Sequence, residues 1–258
     1  MFWFSCVNDS SQSYKDMYLA ALRSAKKNTI LRPILVYDGK DTQFISSVKN
    51  LGARVHHHIF SGAATEVFQS KSIPWKKIFT GTYLRIDIPR ICGDLSIYDK
   101  YVLYTDVDVL FVKDPVPILG LCMPEYFAAC PEFEKDNWAY INAGILLLNV
   151  EAMSDTYDAL MGLVNATYHV EGFDQTALNT FYRGKIDRLP LTMNHKPYWG
   201  ADPDACIIHY HGPKPADISE YLESGTCVEP YRYLFAMVTN EIWSYYANLF
   251  GSYVRPSV

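Results

Sequence analysis

Apolar and polar positions along the chain switch repeatedly between two periods. Phe2 to Val7 is a short apolar run that reads as a first strand, closed by the turn-rich Asn8-Asp9-Ser10-Ser11. From Tyr14 to Lys27 the spacing becomes helical, with Met17, Leu19-Ala20-Ala21 and Ala25 apolar and Lys or Arg on the other face. Ile34-Leu35-Val36-Tyr37 predicts a second strand, stopped by Asp38-Gly39. A helix follows from about Thr42 to Leu51, stopped by Gly52, and then a strand from Arg54 to Ile59. Strand and helix alternating at this spacing predict a mostly parallel central sheet flanked by helices, a Rossmann-like α/β fold. No internal repeat or low-complexity linker divides the chain. One domain is therefore expected over residues 1–258, with an aromatic-rich helical segment at about 229–253.

The run Tyr101 to Val112, YVLYTDVDVLFV, is long and apolar enough for a central buried strand, yet Asp106 and Asp108 interrupt it. Burying one ionised carboxylate is costly, and a second nearby adds repulsion. Residues two apart in a strand face the same side, so a divalent cation held by both would resolve the conflict. The alternative is a strand that ends at Thr105 and leaves the two aspartates in an exposed turn. Further on, Tyr140-Ile141-Asn142-Ala143-Gly144 leads into the apolar Ile145 to Val150. Asn142 could bond a ligand hydroxyl through its amide, and Gly144 would let a ligand approach the backbone; an ordinary turn before a strand is equally consistent. Gly172-Phe173-Asp174-Gln175 precedes a helical pattern from Thr176 to Tyr182, with Asp174 the expected cap and Gln175 free to face a cleft. Finally, Cys206-Ile207-Ile208-His209-Tyr210-His211-Gly212-Pro213-Lys214 delivers two histidines, a turn and a lysine. Imidazole suits a transition metal beside carboxylates, and the lysine suits a phosphate oxygen. The triplet His56-His57-His58 has no acidic neighbour in sequence and reads as an exposed strand end.

Composition narrows the function classes. A formal net charge of -5 argues against a nucleic-acid binder, which needs a basic face. An aromatic share of 15% suits stacking on sugars and bases, although cores use the same rings. The 6 cysteines show no CxxC pair or zinc spacing. Neither a secretory signal nor a membrane span is visible, so a reduced cytoplasmic protein is expected, with membrane contact at most peripheral. The aromatic tail from Tyr231 to Tyr253 has few basic residues and is expected to dock on the domain rather than on anionic lipid.

Taken in order, VLYTDVDVL, YINAGILLLN, GFDQTALN and HYHGPKP resemble glycosyltransferase family 8, and the similarity runs from Phe4 to about Pro215. The resemblance implies a single GT-A domain, a UDP-sugar donor (UDP-glucose or UDP-galactose), Mn²⁺ with Mg²⁺ as the alternative, and retention of anomeric configuration. It implies a glycan, glycolipid or glycoprotein acceptor. By motif, Asp106, Asp108 and His209 correspond to the metal ligands, while His211, Gly212 and Lys214 belong to the segment that grips the diphosphate. Asn8 or Asp9 would meet the uridine and Tyr14 would stack on uracil. Arg85, in Thr82-Tyr83-Leu84-Arg85, would contact the diphosphate and donor sugar. Val107, Asn142, Ala143, Gly144, Asp174 and Gln175 would complete the nucleotide-sugar pocket, with Gln175 and Asp174 the catalytic candidates. The neutral amide of Gln175 is a poor nucleophile, which favours front-face attack over a double displacement. The family spaces its last motif as HxxGxxKPW; here the lysine stands one residue closer and no tryptophan follows Pro215, so His209 and His211 both stay open as the ligand. Two other readings compete. A sugar nucleotidyltransferase would carry a Gly-rich basic loop after the first strand, which Asn8 to Gln12 is not. A non-catalytic nucleotide-sugar-binding protein would keep the fold without turnover.

Overall fold

Strand β1 (Phe2–Asn8) lies at the centre of the sheet and is apolar on both faces, because both faces are covered. A computed structural model of the chain describes residues 1–62, 76–167 and 173–254. β1 pairs in parallel with β2 (Arg32–Asp38) and with β4 (Tyr101–Thr105), and β2 pairs in parallel with β3 (Arg54–His57). On the far side of β4, the fully buried β7 (Ile141–Asn149) runs antiparallel to β4 and to β6 (Phe127–Pro131). β8 (Asp187–Arg188) is parallel to β6 at the edge. The resulting 7-stranded order, β3-β2-β1-β4-β7-β6-β8, is mostly parallel, as expected.

Alternation along these strands sorts the side chains into two cores. Trp3, Leu35, Leu103 and Leu147 point to one face, and Phe4, Val36, Tyr104 and Leu146 to the other. Helices α1 (Gln12–Asn28) and α2 (Thr42–Asn50) cover the first face, and the Asp41 carboxylate caps α2 by accepting from Phe44 N at 3.0 Å. Helices α3 (Lys76–Tyr83), α4 (Ile88–Asp94), α5 (Val150–Asp155), α6 (Tyr157–Thr167) and α7 (Phe173–Phe181) lie with the second. The tail forms α8 (Pro215–Ser224), a short α9 (Arg232–Phe235) and α10 (Asn240–Val254). It docks on the domain: Trp243 and Tyr246 are buried, and Asn28 Nδ2 donates to the Tyr253 hydroxyl at 2.8 Å. Among the described residues no helix is long and apolar enough to cross a membrane.

Three expectations are corrected. The run from Tyr101 to Val112 is two strands, not one: β4 stops at Thr105, and β5 (Val109–Phe111) belongs to a separate two-stranded ribbon with β9 (Ile207–His209). The chain changes pairing partner between them, which is why apolar continuity did not reveal the break. The third strand ends at His57; His58 N still donates to Tyr37 O at 3.2 Å, and its Nε2 lies 2.7 Å from the buried Asp87. His58 thus has an acidic partner, distant in sequence. Asp174 is in the first turn of α7 rather than before it, and Gly172 lies outside the described residues.

Candidate functional site

The site forms in the gap between the two sheets. Asp106 N donates to Gly144 O at 2.6 Å and keeps a last contact with β7, whereas Asp108 O accepts from Tyr210 N at 2.8 Å and already belongs to the ribbon. Antiparallel pairing of β5 with β9 sets His209 opposite Val109. One ligand atom each from Asp106, Asp108 and His209 consequently lie within 4.8 Å of one another. His209 Nε2 is 3.4 Å from Asp108 Oδ1, while His211 faces elsewhere, Nε2 being 3.1 Å from Glu132 Oε1. The two rings are neighbours, with centroids 5.5 Å apart, but they bond different partners. Gly144 matters for a reason other than ligand access. A Cβ there would stand 2.3 Å from His209 Cε1 and 3.0 Å from Asp106 Oδ2, so the missing side chain makes room for the cluster itself.

The electrostatics ask for more positive charge. Arg85 is buried and holds two carboxylates, with Nη2 3.0 Å from Asp106 and Nε 2.9 Å from Asp174. The Nε hydrogen is directed at Thr82 O, and Nη1 donates to Ala143 O at 2.5 Å, so Asp174 Oδ2 has the charge of Arg85 without a well-aligned hydrogen bond. Burial accordingly wins at Asp174 and lifts its carboxyl to about 6, against the pull of Arg85. Asp108 goes the other way. Burial opposes its charge, but the Lys214 ammonium holds it far below the usual range. Lys214 bonds Asp108 Oδ2 directly and also donates to Tyr210 O at 3.2 Å. Three carboxylates (Asp106, Asp108, Asp174) thus share two cations (Arg85, Lys214). With an imidazole nitrogen and carboxylate oxygens converging, the donor set fits a divalent metal ion.

A cleft beside this cluster is lined by Asn8, Tyr14, Arg85, Asp106, Val107, Asp108 and Lys214. Of the two residues expected near a base, Asn8 lines the cleft and Asp9 does not. Asp9 is bracketed by Lys15 Nζ at 2.7 Å, Lys40 N at 2.7 Å and the Tyr37 hydroxyl. Gly212 takes a left-handed φ of 79° and turns the chain so that Lys214 heads α8, where Lys214 N donates to Asp217 at 2.8 Å. Asn142, Ala143, Gln175 and His211 gather in a second cluster around Glu132, a residue sequence reading missed. Gln175 Oε1 accepts from Ala143 N at 2.8 Å, and Asn142 Nδ2 donates to Glu132 Oε2 at 2.8 Å. Burial opposes the Glu132 charge, but hydrogen bonds from His211, Asn142 and Gln175 keep it ionised down to about 2. Burial likewise lowers His211 to about 4, opposed by Glu132. Glu132 sits in the charged Glu132-Phe133-Glu134-Lys135, which looks like any solvated loop. Its signal lies in contacts 10 and 79 residues away.

No protein-family model and no curated protein matches the sequence. Solved structures do match in shape. The apo form of the glycosyltransferase GlyE from Streptococcus pneumoniae TIGR4 superposes with a TM-score of 0.64 at 18% identity, covering 97% of this chain. This chain spans only 63% of that one. The galactosyltransferase LgtC, in complex with donor and acceptor sugar analogs, gives a TM-score of 0.62 at 21% identity, over 91% of this chain and 100% of LgtC. Mouse xyloside xylosyltransferase 1 gives 0.56 at 13% identity, over 83% and 98%. The fold is GT-A. Within this GT-A sheet the cleft has a physical address. The chain leaves β1 towards β2 on one side, while β4 flanks β1 on the other, so Asn8 and Asp106 meet at the carboxyl ends of strands where the winding reverses. Crevices at such reversals are where open α/β sheets take their ligands.

Proposed function

We propose that the chain is a glycosyltransferase that moves a hexose from a UDP-sugar to a hydroxyl of a glycan, glycolipid or protein-linked acceptor, with retention and with Mn²⁺ as cofactor. The observation that carries this reading is the convergence of Asp106, Asp108 and His209 at the switch-point cleft. Those three residues would hold the ion, and the sequence ambiguity between the histidines is read in favour of His209. When bound, the cation neutralises charge building on a leaving diphosphate. The chain's own groups do the rest. Lys214, at the cleft and bonded to Asp108, carries the ammonium that a phosphate oxygen would take over. Tyr14 and Asn8 line the cleft and would meet the uracil. Arg85 lines the same cleft, but its bonds to Asp106, Asp174 and Ala143 make it chiefly the bracket that keeps the acidic groups in place. Gln175 is oriented by Ala143 N and presents a neutral amide beside Asn142. Asp174 is committed to Arg85 and Glu132 to Asn142 and His211, which supports front-face attack over a covalent sugar adduct.

The test is donor hydrolysis by the purified chain with UDP-glucose and UDP-galactose, with and without Mn²⁺. Release of UDP that needs Mn²⁺ and is lost in Asp106→Asn and Asp108→Asn supports the reading. Release that persists undiminished under chelation would overturn the metal assignment. Metal-dependent UDP binding with no turnover of any UDP-sugar, acceptors included, would mark a binding protein instead.

A further inference from the structure

We infer that Asn194 is a positioning residue that joins the cation-binding histidine to the sugar pocket through a one-directional chain of hydrogen bonds, an inference that rests on the metal-dependent reading above. Asn194 is fully buried and lies outside the cleft. Its segment is fastened along β9: His195 N donates to Ile207 O at 3.0 Å, and His209 N donates to His195 O at 2.8 Å. That pairing lays the Asn194 amide against the His209 ring. Asn194 Oδ1 is 2.9 Å from His209 Nδ1, and Asn194 Nδ2 is 3.0 Å from Asn142 Oδ1.

The direction of the chain follows from its far end. Glu132, as a carboxylate, only accepts, so Asn142 must turn Nδ2 towards it at 2.8 Å. The backbone N–H of Gly144 only donates, and it reaches Asn142 Oδ1 at 3.1 Å. Both constraints agree on the orientation of Asn142. Its oxygen then faces Asn194, which must offer Nδ2, leaving Asn194 Oδ1 to accept from His209 Nδ1–H. In the neutral ring Nε2 is left with its lone pair, 3.4 Å from Asp108 Oδ1. Two acceptors facing each other at that distance repel unless a cation lies with them. Asn194 therefore selects the tautomer that a metal site needs, as ring-to-carbonyl bonds do at known metal-binding histidines. The same amide keeps Asn142 aimed at Gln175, whose Oε1 lies 3.4 Å from Asn142 Nδ2.

Two substitutions separate the two ends. Asn194→Leu removes both bonds. Asn194→Asp keeps an oxygen for His209 but sets another against Asn142 Oδ1. With UDP present, Mn²⁺ affinity by calorimetry should fall roughly 10- to 100-fold in Asn194→Leu. In Asn194→Asp it should stay near the wild-type value, while the turnover of donor hydrolysis falls by about tenfold or more from the misaimed Asn142. The tautomer is read without any variant, by ¹⁵N NMR of the metal-free wild-type protein at alkaline pH, where His209 should carry its hydrogen on Nδ1. A hydrogen on Nε2, or wild-type Mn²⁺ affinity in a folded Asn194→Leu, would overturn the inference. His209→Ala is the control that separates failures. If it loses Mn²⁺ and Asn194→Leu does not, only the Asn194 relay is wrong. If His209→Ala also binds Mn²⁺ normally, the metal assignment and everything built on it are wrong.

Discussion

A methyl group at position 144 would lie 2.3 Å from His209 Cε1, and neither partner can easily give way, since the ring is pinned by Asn194 and the backbone by Asp106. Gly144→Ala is expected to cost about 1–3 kcal/mol of stability through overpacking. It should also weaken Mn²⁺ binding by roughly tenfold, because the ligand moves. Calorimetric titration beside a urea melt checks both, and unchanged metal affinity would mean that His209 is not a ligand. Asp174 makes a prediction about pH. Its carboxyl, lifted by burial to about 6 in the folded chain, lies above its unfolded value of 3.8. The folded state therefore binds a proton more readily than the unfolded state. The resulting stabilisation is complete below the unfolded value and is lost as pH rises through about 6. The component is on the order of 3 kcal/mol. His211, lowered to about 4 by burial, contributes in the opposite sense, so the wild-type profile mixes the two. Subtracting the urea-derived stability profile of Asp174→Asn from that of wild type should isolate a fall between pH 4 and 7. A flat difference would show that Arg85 fully compensates the buried charge.

At the scale of elements, much was legible. The strands around Phe2 to Val7 and Ile34 to Tyr37 and the helices after them are where periodicity put them, because local alternation and turn residues decide them. The aspartate pair and His209, which the fold brings together, stood out as well, since each interrupts an apolar run, although the sequence left His209 and His211 both open as the partner. The break after Thr105 was legible only as the alternative to one continuous strand. It depends on β4 pairing with β7 and β5 with β9, partners drawn from segments far along the chain. Glu132 and Asn194 were invisible for the same reason: nothing local distinguishes them, and their roles come from partners brought together by the sheet. The docking of the aromatic tail was legible, but its particular contacts were not. Trp243 is fully buried and donates to Phe235 O at 3.1 Å, and the Tyr246 hydroxyl reaches His195 Nε2 at 3.0 Å, behind the ribbon that carries His209. Trp243→Ala should cost about 3–5 kcal/mol. The folded fraction should still bind Mn²⁺, since among the described residues no tail side chain joins Asp106, Asp108 and His209. Denaturant midpoints with Mn²⁺ titration decide this, and a loss of metal affinity without loss of stability would contradict it.

For the whole molecule, ligand binding and folding are linked. A metal and a nucleotide that bind only the folded chain should add about 2.7 kcal/mol at a hundredfold excess over their dissociation constants. The melting temperature should rise with Mn²⁺ and UDP together, and Asp106→Asn should show no such rise; an equal rise in that variant would place the metal elsewhere. The Lys214–Asp108 pair adds a condition to this linkage. With the ammonium already seated on Oδ2 of Asp108, an incoming cation would compete with a resident positive charge for that carboxylate, and a lysine displaced from it would need a new anion. A diphosphate provides that anion. Metal and nucleotide should then be reciprocal effectors, each raising the affinity of the other by the same factor, and each should bind weakly alone. On the proposed reading the lysine would act as an interlock: it would make the acidic site poor at scavenging free divalent ions and good at accepting them only when a nucleotide is there to receive the charge they displace.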